Sequence, residues 1–357
     1  MNLGGLETIL AFIIVLGLAV LLHEFGHFAA AKAMGVRVLE FAFGFPPKLF
    51  TLFERNGTQY SVCALPIGGY VKLAGQEPGE EAGEDGFNSK PVWKRILIIF
   101  AGPFMNFVLA AIIFIGMGLT GGVPVGEPNA SISGVMSGQP AESAGFKPGD
   151  QIVAIDGRPV NMDAMLETVR GSANKPMTIT VKRDQQNVDL HVTPLPKSGA
   201  DAKQPVGQIG VELQPIPNLQ RVGAIKAVGY GAATTWEWTY NTVCGIGKMF
   251  TDREARKQVG GPVVIARLAG HAFREGMMTF LTFLAAISIN LGVLNLLPLL
   301  VLDGGQIAIF ALEGIRGRKL QQSLQVAIQV VGMALLLLLM AVLTVHDISN
   351  WINGKLF

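Results

Sequence analysis

At 357 residues, 50% hydrophobic and 15% charged, the chain falls well below the roughly one-quarter charged content of soluble proteins, and its mean hydropathy of +0.43 agrees. That excludes a wholly water-soluble protein and describes one held in a lipid bilayer with a modest water-exposed part. The net charge of +2 is small and scattered with no basic stripe, which excludes a nucleic-acid partner. Two cysteines, Cys63 and Cys244, form no C-x-x-C pair and exclude a disulfide framework.

The first apolar run, residues 6–31, is long enough to cross a bilayer. Its Ala29-Ala30-Ala31 end resembles a signal-peptide cleavage site, but no Lys or Arg precedes it and it is too long, so a retained span is expected. Inside it stands His23-Glu24-Phe25-Gly26-His27. On a helix the two histidines lie about 40° apart around the axis and Glu24 about 100° from His23. Two imidazoles can then reach one metal while the carboxylate reaches a water beside it, the H-E-x-x-H arrangement of zinc peptidases. Ionisable groups at membrane depth are costly and are kept for function. Lys32, Arg37, Lys48, Arg55, Lys72, Lys90, Lys94 and Arg95 all follow before the next span. The positive-inside rule therefore puts the N-terminus outside and this loop in the cytosol. His23 would lie roughly 25 Å into a core about 30 Å thick, under the cytosolic face.

Residues 36–75 are Gly- and aromatic-rich, and alternation around Gly68-Gly69 predicts a β-hairpin there. It either dips into the membrane, with protein covering its backbone, or lies on the cytosolic surface. Acidic residues 76–90 read as a solvated loop. A second span covers residues 96–119, where Ala101-Gly102-Pro103 would let a neighbouring helix approach closely. Asn106 there is either a helix-packing hydrogen bonder or a catalytic group.

Residues 123–213 turn water-soluble in composition. A short helix and turn at 140–150, a strand at 152–155, a helix at 163–170 and a hairpin about 184–187 are expected in that order. Residues 218–258, with Trp236, Trp238 and Tyr240, read as a helix lying along the outer interface. Gly260-Gly261-Pro262 breaks the chain before a third span at 277–300. A straight helix from Met277 to Asp303 would cover about 39 Å, more than the core. Pro298 and Gly304-Gly305 permit a break that folds Asp303 back to the depth of His23. A fourth span at 326–345 returns outward, leaving Lys355 beyond it.

A catalytic zinc takes three protein ligands and an open position. The expected topology keeps His191, His271 and His346 away, so the third ligand is an oxygen or sulfur donor. Asp303 is the best candidate, with Glu40 and Cys63 as rivals; the other reading of Asp303 is an N-cap on the helix starting near Gly304.

His23–His27, Phe43-Gly44-Phe45, Pro66-Ile67-Gly68-Gly69-Tyr70-Val71-Lys72, Ala101-Gly102-Pro103 with Asn106, Gly260-Gly261-Pro262, and Asn295-x-x-Pro298…Leu302-Asp303-Gly304-Gly305 occur in one order. Together they resemble the site-2 protease family of intramembrane zinc metalloproteases, in the single-PDZ bacterial form that cleaves anti-sigma factors and remnant signal peptides. Residues 123–213 resemble a circularly permuted bacterial PDZ domain. The resemblance implies one Zn2+ held by His23, His27 and Asp303, with Glu24 as general base. It implies substrate contacts from Asn295 and from the hairpin at Gly68, Gly69 and Tyr70. A peptide-binding edge, suited to peptide C-termini, would lie at Gln208, Ile209, Gly210 and Val211. Leu300 stands where the family usually has a second proline, and Pro46 where it has a glycine.

The expected fold class is membrane α-helical: four transmembrane helices, a membrane-associated β-hairpin and an inserted extracytoplasmic PDZ-like α/β domain. The expected divisions are 1–120, the first two spans with the motif and hairpin; 121–215, the PDZ-like domain; 216–262, the interfacial helical linker; and 263–357, the last two spans. The expected location is the bacterial cytoplasmic membrane, with both termini and the PDZ-like domain outside. The expected function is cleavage of single-span membrane proteins after a prior extracytoplasmic cut. The alternative is an inactive scaffold that holds partners through the PDZ-like domain. A transporter is disfavoured because the chain has no internal repeat.

Overall fold

The computed structural model describes residues 3–77, 80, 83–125, 128–196, 206–216, 218–252, 260–299 and 301–352. Leu300 and Lys355 lie outside the described residues. The chain divides into two units, Met1–Met117 with Ile225–Phe357, and Gly118–Ala224. Among the described residues four helices are long and apolar enough to cross a membrane: Gly5–Ala33, Val92–Gly121, Met277–Leu296 and Ser323–Ser349.

The helical unit opens with α1 (Leu3–Ala33), apolar on every side as a spanning helix must be. Strands β1 (Val38–Arg55) and β2 (Thr58–Leu73) follow. Asn56-Gly57 joins them with φ of 51° and 70°, both left-handed, so the hairpin turns there and not at Gly68-Gly69 as expected. Each strand is bent, and the pairing makes a small antiparallel sheet of four arms in the order 69–73, 38–43, 58–63, 48–55. Gly68 and Gly69 lie at the bend of β2, pressed against Val20 and Leu21 of α1, and the Pro66 carbonyl faces Gly17. The bend thus runs beside residues 17–21, midway along the first apolar helix. Leu49, Phe50, Leu52 and Phe53 stand more than half exposed on the arm 48–55, an apolar surface suited to lipid. Helix α2 (Val92–Gly121) comes next, with Pro103 inside it.

The second unit carries β3 (Val123–Pro124), β4 (Asn129–Val135), α3 (Pro140–Ala144), β5 (Gln151–Ile155), β6 (Arg158–Pro159) and α4 (Met162–Arg170). It continues with β7 (Met177–Arg183), β8 (Gln186–Val192), β9 (Leu195–Pro196), β10 (Gly207–Gln208), β11 (Val211–Ile216) and β12 (Leu219–Gln220). The main sheet runs β11-β4-β5-β7-β8, with β6 on β5, so β11 is an edge strand. Met165 and Val169 of α4 are buried against Ile132, Ile152, Ile179 and Val181 of the sheet. Asn161 caps α4 by accepting the Ala164 amide, and the tight β7–β8 turn falls at Asp184-Gln185, as the sequence indicates. Burial pushes the Asp150 carboxyl up, but two hydrogen bonds from Arg183, both 2.7 Å, and one from the Lys147 amide outweigh it and hold the group below its ordinary value.

The helical unit resumes with α5 (Ala224–Thr251), which packs on α2 and reaches the third apolar helix. Gly231 sits on Ala111 and Ile115 of α2, Trp238 packs on Phe114 at 5.6 Å, and Thr242 donates to Asn290 at 2.9 Å. Only Trp236 and Tyr240 of its aromatic cluster face outward. Helix α6 (Pro262–Glu275), absent from the sequence expectation, precedes α7 (Met277–Leu296), α8 (Asp303–Arg316) and α9 (Gln322–Ile352). Asp347 of α9 accepts the Gly261 and Val264 amides at the start of α6, so a buried carboxylate meets the positive end of a helix.

Arg95 is not a solvated flanking charge. It is 3% exposed, donates to Glu313 of α8 at 2.9 Å, and lies 4.5 Å from the Phe310 ring. Glu313 also accepts the Leu320 amide. Removing one member of such a pair strands a buried charge, at a cost of about 3–5 kcal/mol. Glu313→Leu should therefore lower the melting temperature in detergent sharply, and Arg95→Met combined with Glu313→Leu should recover much of that loss. A double variant as unstable as the sum of the singles would mean the two side chains are not coupled.

Candidate active site

Helix α1 presents His23 and His27 one turn apart, 5% and 6% exposed. Their Nε2 atoms lie 3.1 Å from each other. Asp303 Oδ2 is 3.0 Å from His23 Nε2 and 3.5 Å from His27 Nε2. Among the described residues this is the group of histidines, cysteines and carboxylates placed to hold a metal. Asp303 arrives because α7 stops at Leu296, Leu297 is extended, and the chain folds back before α8. It is the first residue of α8, whose cap position is Leu302, so the N-cap alternative does not hold. The fold-back is tight: a Cβ on Gly304 would strike the Leu296 and Leu297 carbonyls.

The rival ligands are engaged elsewhere. Glu40 accepts hydrogen bonds from Ser61 and Tyr70 and pairs with Lys48 at 2.7 Å, all within the hairpin sheet. Cys63 is a buried free thiol outside the cluster, and Cys244 is also free. His271 faces Glu275 on its own helix, and His191 bonds Thr178 in the other unit.

The donor set fits a zinc ion. His27 Nδ1 stands 2.9 Å from the Ile98 carbonyl, an obligate acceptor, so Nδ1 carries the proton and Nε2 is a bare lone pair. Asp303 Oδ2 is buried without a hydrogen bond of acceptable geometry. Ligand bonds of about 2.0–2.1 Å in tetrahedral array separate donors by about 3.3 Å, against the 3.0–3.5 Å found here. A cavity of about 210 Å³ opens on the cluster, lined among others by Val20, Glu24, Asn295 and Leu302. Glu24 is half-buried, and its carboxylate accepts the backbone N–H of Val71 from the arm 69–73. Tyr70, in the same arm, donates its hydroxyl to Glu40 at 3.0 Å, which leaves the role of its backbone open.

The small residues of α2 matter here as expected. Gly102 lies against both imidazoles, and a Cβ there would overlap His27 Nε2 and crowd His23 Nε2. Asn106 is 0% exposed and touches His23 Nδ1 at 3.1 Å. In the second unit Ile209 is buried in the core, and the Ile209 and Gly210 carbonyls already accept the Ala141 and Met136 amides. Of the expected peptide edge, Val211 begins the edge strand β11 itself.

The sequence matches peptidase family M50 over residues 11–339. The chain belongs to this family. It is a zinc metalloprotease of the site-2 protease type. A protein of Rhizobium meliloti described as a zinc metalloprotease is 34% identical, covering 97% of each chain. The regulator of sigma-W protease RasP of Bacillus subtilis is 31% identical, covering 96% of this chain and 99% of its own. The zinc metalloprotease RasP of Geobacillus kaustophilus is also 31% identical, over 97% and 99%. A solved PDZ domain of an SdrC-like protein from Listeria monocytogenes aligns with 26% of this chain and 93% of its own at 20% identity, with a TM-score of 0.22; so low a score carries no argument.

Because His27 is pinned by Ile98, the ring cannot swing away from a new methyl group. Gly102→Ala is expected to cut peptidase activity on the order of 10²-fold through displaced ligands, whereas Gly116→Ala, on the same helix with open space around it, should leave activity unchanged. Equal activity in the two variants would contradict the contact.

Proposed function

We propose that the chain is an intramembrane endopeptidase that cuts transmembrane segments of single-span membrane proteins, such as anti-sigma factors and remnant signal peptides, after a prior extracytoplasmic cut. The observation that carries this reading is the convergence of His23, His27 and Asp303 beside Glu24, at the end of a cavity within an apolar helical unit. His23, His27 and Asp303 would hold one zinc ion. Zinc, when bound, lowers the pKa of a coordinated water to about 7 and polarises a carbonyl. Glu24, as general base, takes the attacking water's proton and delivers it to the leaving amine. Asn295, in the cavity wall, is positioned to hydrogen-bond the substrate backbone near the scissile bond.

A transmembrane helix hides the bond to be cut, and extending it exposes backbone groups costing several kcal/mol each in hydrocarbon. The arm 69–73 pairs with 38–43 on one side, while its other side turns the Val71 amide toward Glu24. An unwound substrate adding as a strand along Gly68, Gly69 and Tyr70 would satisfy those groups beside the cavity. With Lys32, Arg37 and Lys48 following the first span, the positive-inside rule would orient the site toward the cytosol, with buried Arg95 dropping out of that count. The likeness to bacterial relatives would make the membrane a bacterial inner one. The unit 118–224 is PDZ-like in its order of strands and helices. It would lie outside the membrane, bind peptide C-termini along β11, and limit which substrates enter.

Cleavage of single-span proteins by the wild type and by Glu24→Gln tests the reading: the variant should lose activity by several orders of magnitude while still binding zinc. Substitution of Gly69 by Pro should slow cleavage of helical substrates more than of one already extended, and equal loss on both would remove the strand-addition step. Deleting residues 123–213 should admit substrates with an uncut external portion; their continued rejection would remove the gate.

A further inference from the structure

The two histidines are braced differently on their far sides. For His27 the partner of Nδ1 is a backbone carbonyl, which fixes the tautomer at once. For His23 the partner is the side-chain amide of Asn106, whose Nδ2 is placed 3.1 Å from Nδ1. An amide donating there would force the His23 proton onto Nε2, the atom that faces Asp303 Oδ2 and His27 Nε2 and must present a lone pair.

A third side chain decides the matter. Ser288 of α7 places its Oγ 2.9 Å from the Asn106 backbone carbonyl and 3.4 Å from the amide's other end. The carbonyl only accepts, so it takes the single hydroxyl proton and leaves Oγ with lone pairs alone. Ser288 therefore calls for a donor from the amide, and His23 Nδ1–H calls for an acceptor. Both demands are met by the same half-turn of the Asn106 amide, an orientation set by neighbours rather than by heavy-atom positions. All the groups are buried: Asn106 and Ser288 are each 0% exposed. Any unmatched donor or acceptor among them would cost about 1–3 kcal/mol.

We propose that Asn106, held by Ser288, is the positioning residue of His23, its Oδ1 accepting Nδ1–H so that Nε2 is free to bind the metal. The chain Ser288–Asn106–His23 ties α7 and α2 to the ligand helix α1. This inference rests on the zinc-site reading and adds to it the source of one ligand's orientation. Outer partners of metal-bound histidines are worth about 10–100-fold in metal affinity.

The test is zinc affinity of the full-length protein in detergent, by equilibrium competition with a chelator, with helical content checked by circular dichroism. Asn106→Leu removes the acceptor and should weaken zinc about 10–100-fold at wild-type helical content. Asn106→Asp keeps an acceptor of the same reach and should bind zinc as tightly as the wild type or more so, because a carboxylate raises the basicity of the ligand. Ser288→Ala, which leaves the amide free to rotate, should weaken zinc less than Asn106→Leu does. Wild-type affinity in Asn106→Leu, or equal losses in the Leu and Asp variants, would overturn the proposal, since equal losses report packing rather than an acceptor. If Asn106→Leu does not fold, the ordering of Ser288→Ala below Asn106→Asp decides alone. Wild-type protein that binds no zinc would instead overturn the zinc-site reading itself, with His27→Ala as the zinc-free reference.

Discussion

Three lone-pair donors within 3.5 Å of one another repel unless a cation lies among them, and the repulsion grows where water cannot screen it. The helical unit is built to hold that arrangement. His23 and His27 come from one turn of an apolar helix, but Asp303 comes from far along the chain. Its position depends on a helix that stops at Leu296, an extended Leu297, and a glycine that lets the new helix start against the old one's last carbonyls. Gly102 leaves room for two rings where any other residue would intrude.

What keeps α8 in place is a second buried electrostatic device. The Arg95–Glu313 pair fastens the far end of the helix that begins with Asp303 to the start of α2. A misplaced α8 would strand two charges, so the pair selects one packing even where it adds little net stability. Asp347 acts similarly at the other end, binding α9 to the start of α6. Nonspecific apolar packing cannot orient helices surrounded by lipid tails as apolar as their own side chains; directional polar contacts can.

The motif was legible because its geometry is local: residues four apart on a helix share a face whatever surrounds them. Asp303 was legible through the mismatch between the length of an apolar run and the thickness of a bilayer. The Arg95–Glu313 pair was not legible, since 218 residues separate its members and each alone reads as a surface charge. Other signals were present but outweighed. Asn56-Gly57 marks the hairpin turn, whereas Gly68-Gly69, the more conspicuous pair in the sequence, marks the bend of β2 against α1. Trp236 and Tyr240, four apart, share the exposed face of α5, while Trp238 between them lies opposite and packs on Phe114. Asn106 could be read as packing or catalytic from sequence; its contact with His23 depends on which face of α2 meets α1.

X-ray absorption at the zinc edge, on protein purified without added chelator, tests the central claim most directly. The account predicts one zinc per chain with two imidazole nitrogens and at least one carboxylate oxygen in its shell, the carboxylate contribution vanishing in Asp303→Ala. A zinc shell unchanged by that substitution, or one containing sulfur, would contradict it.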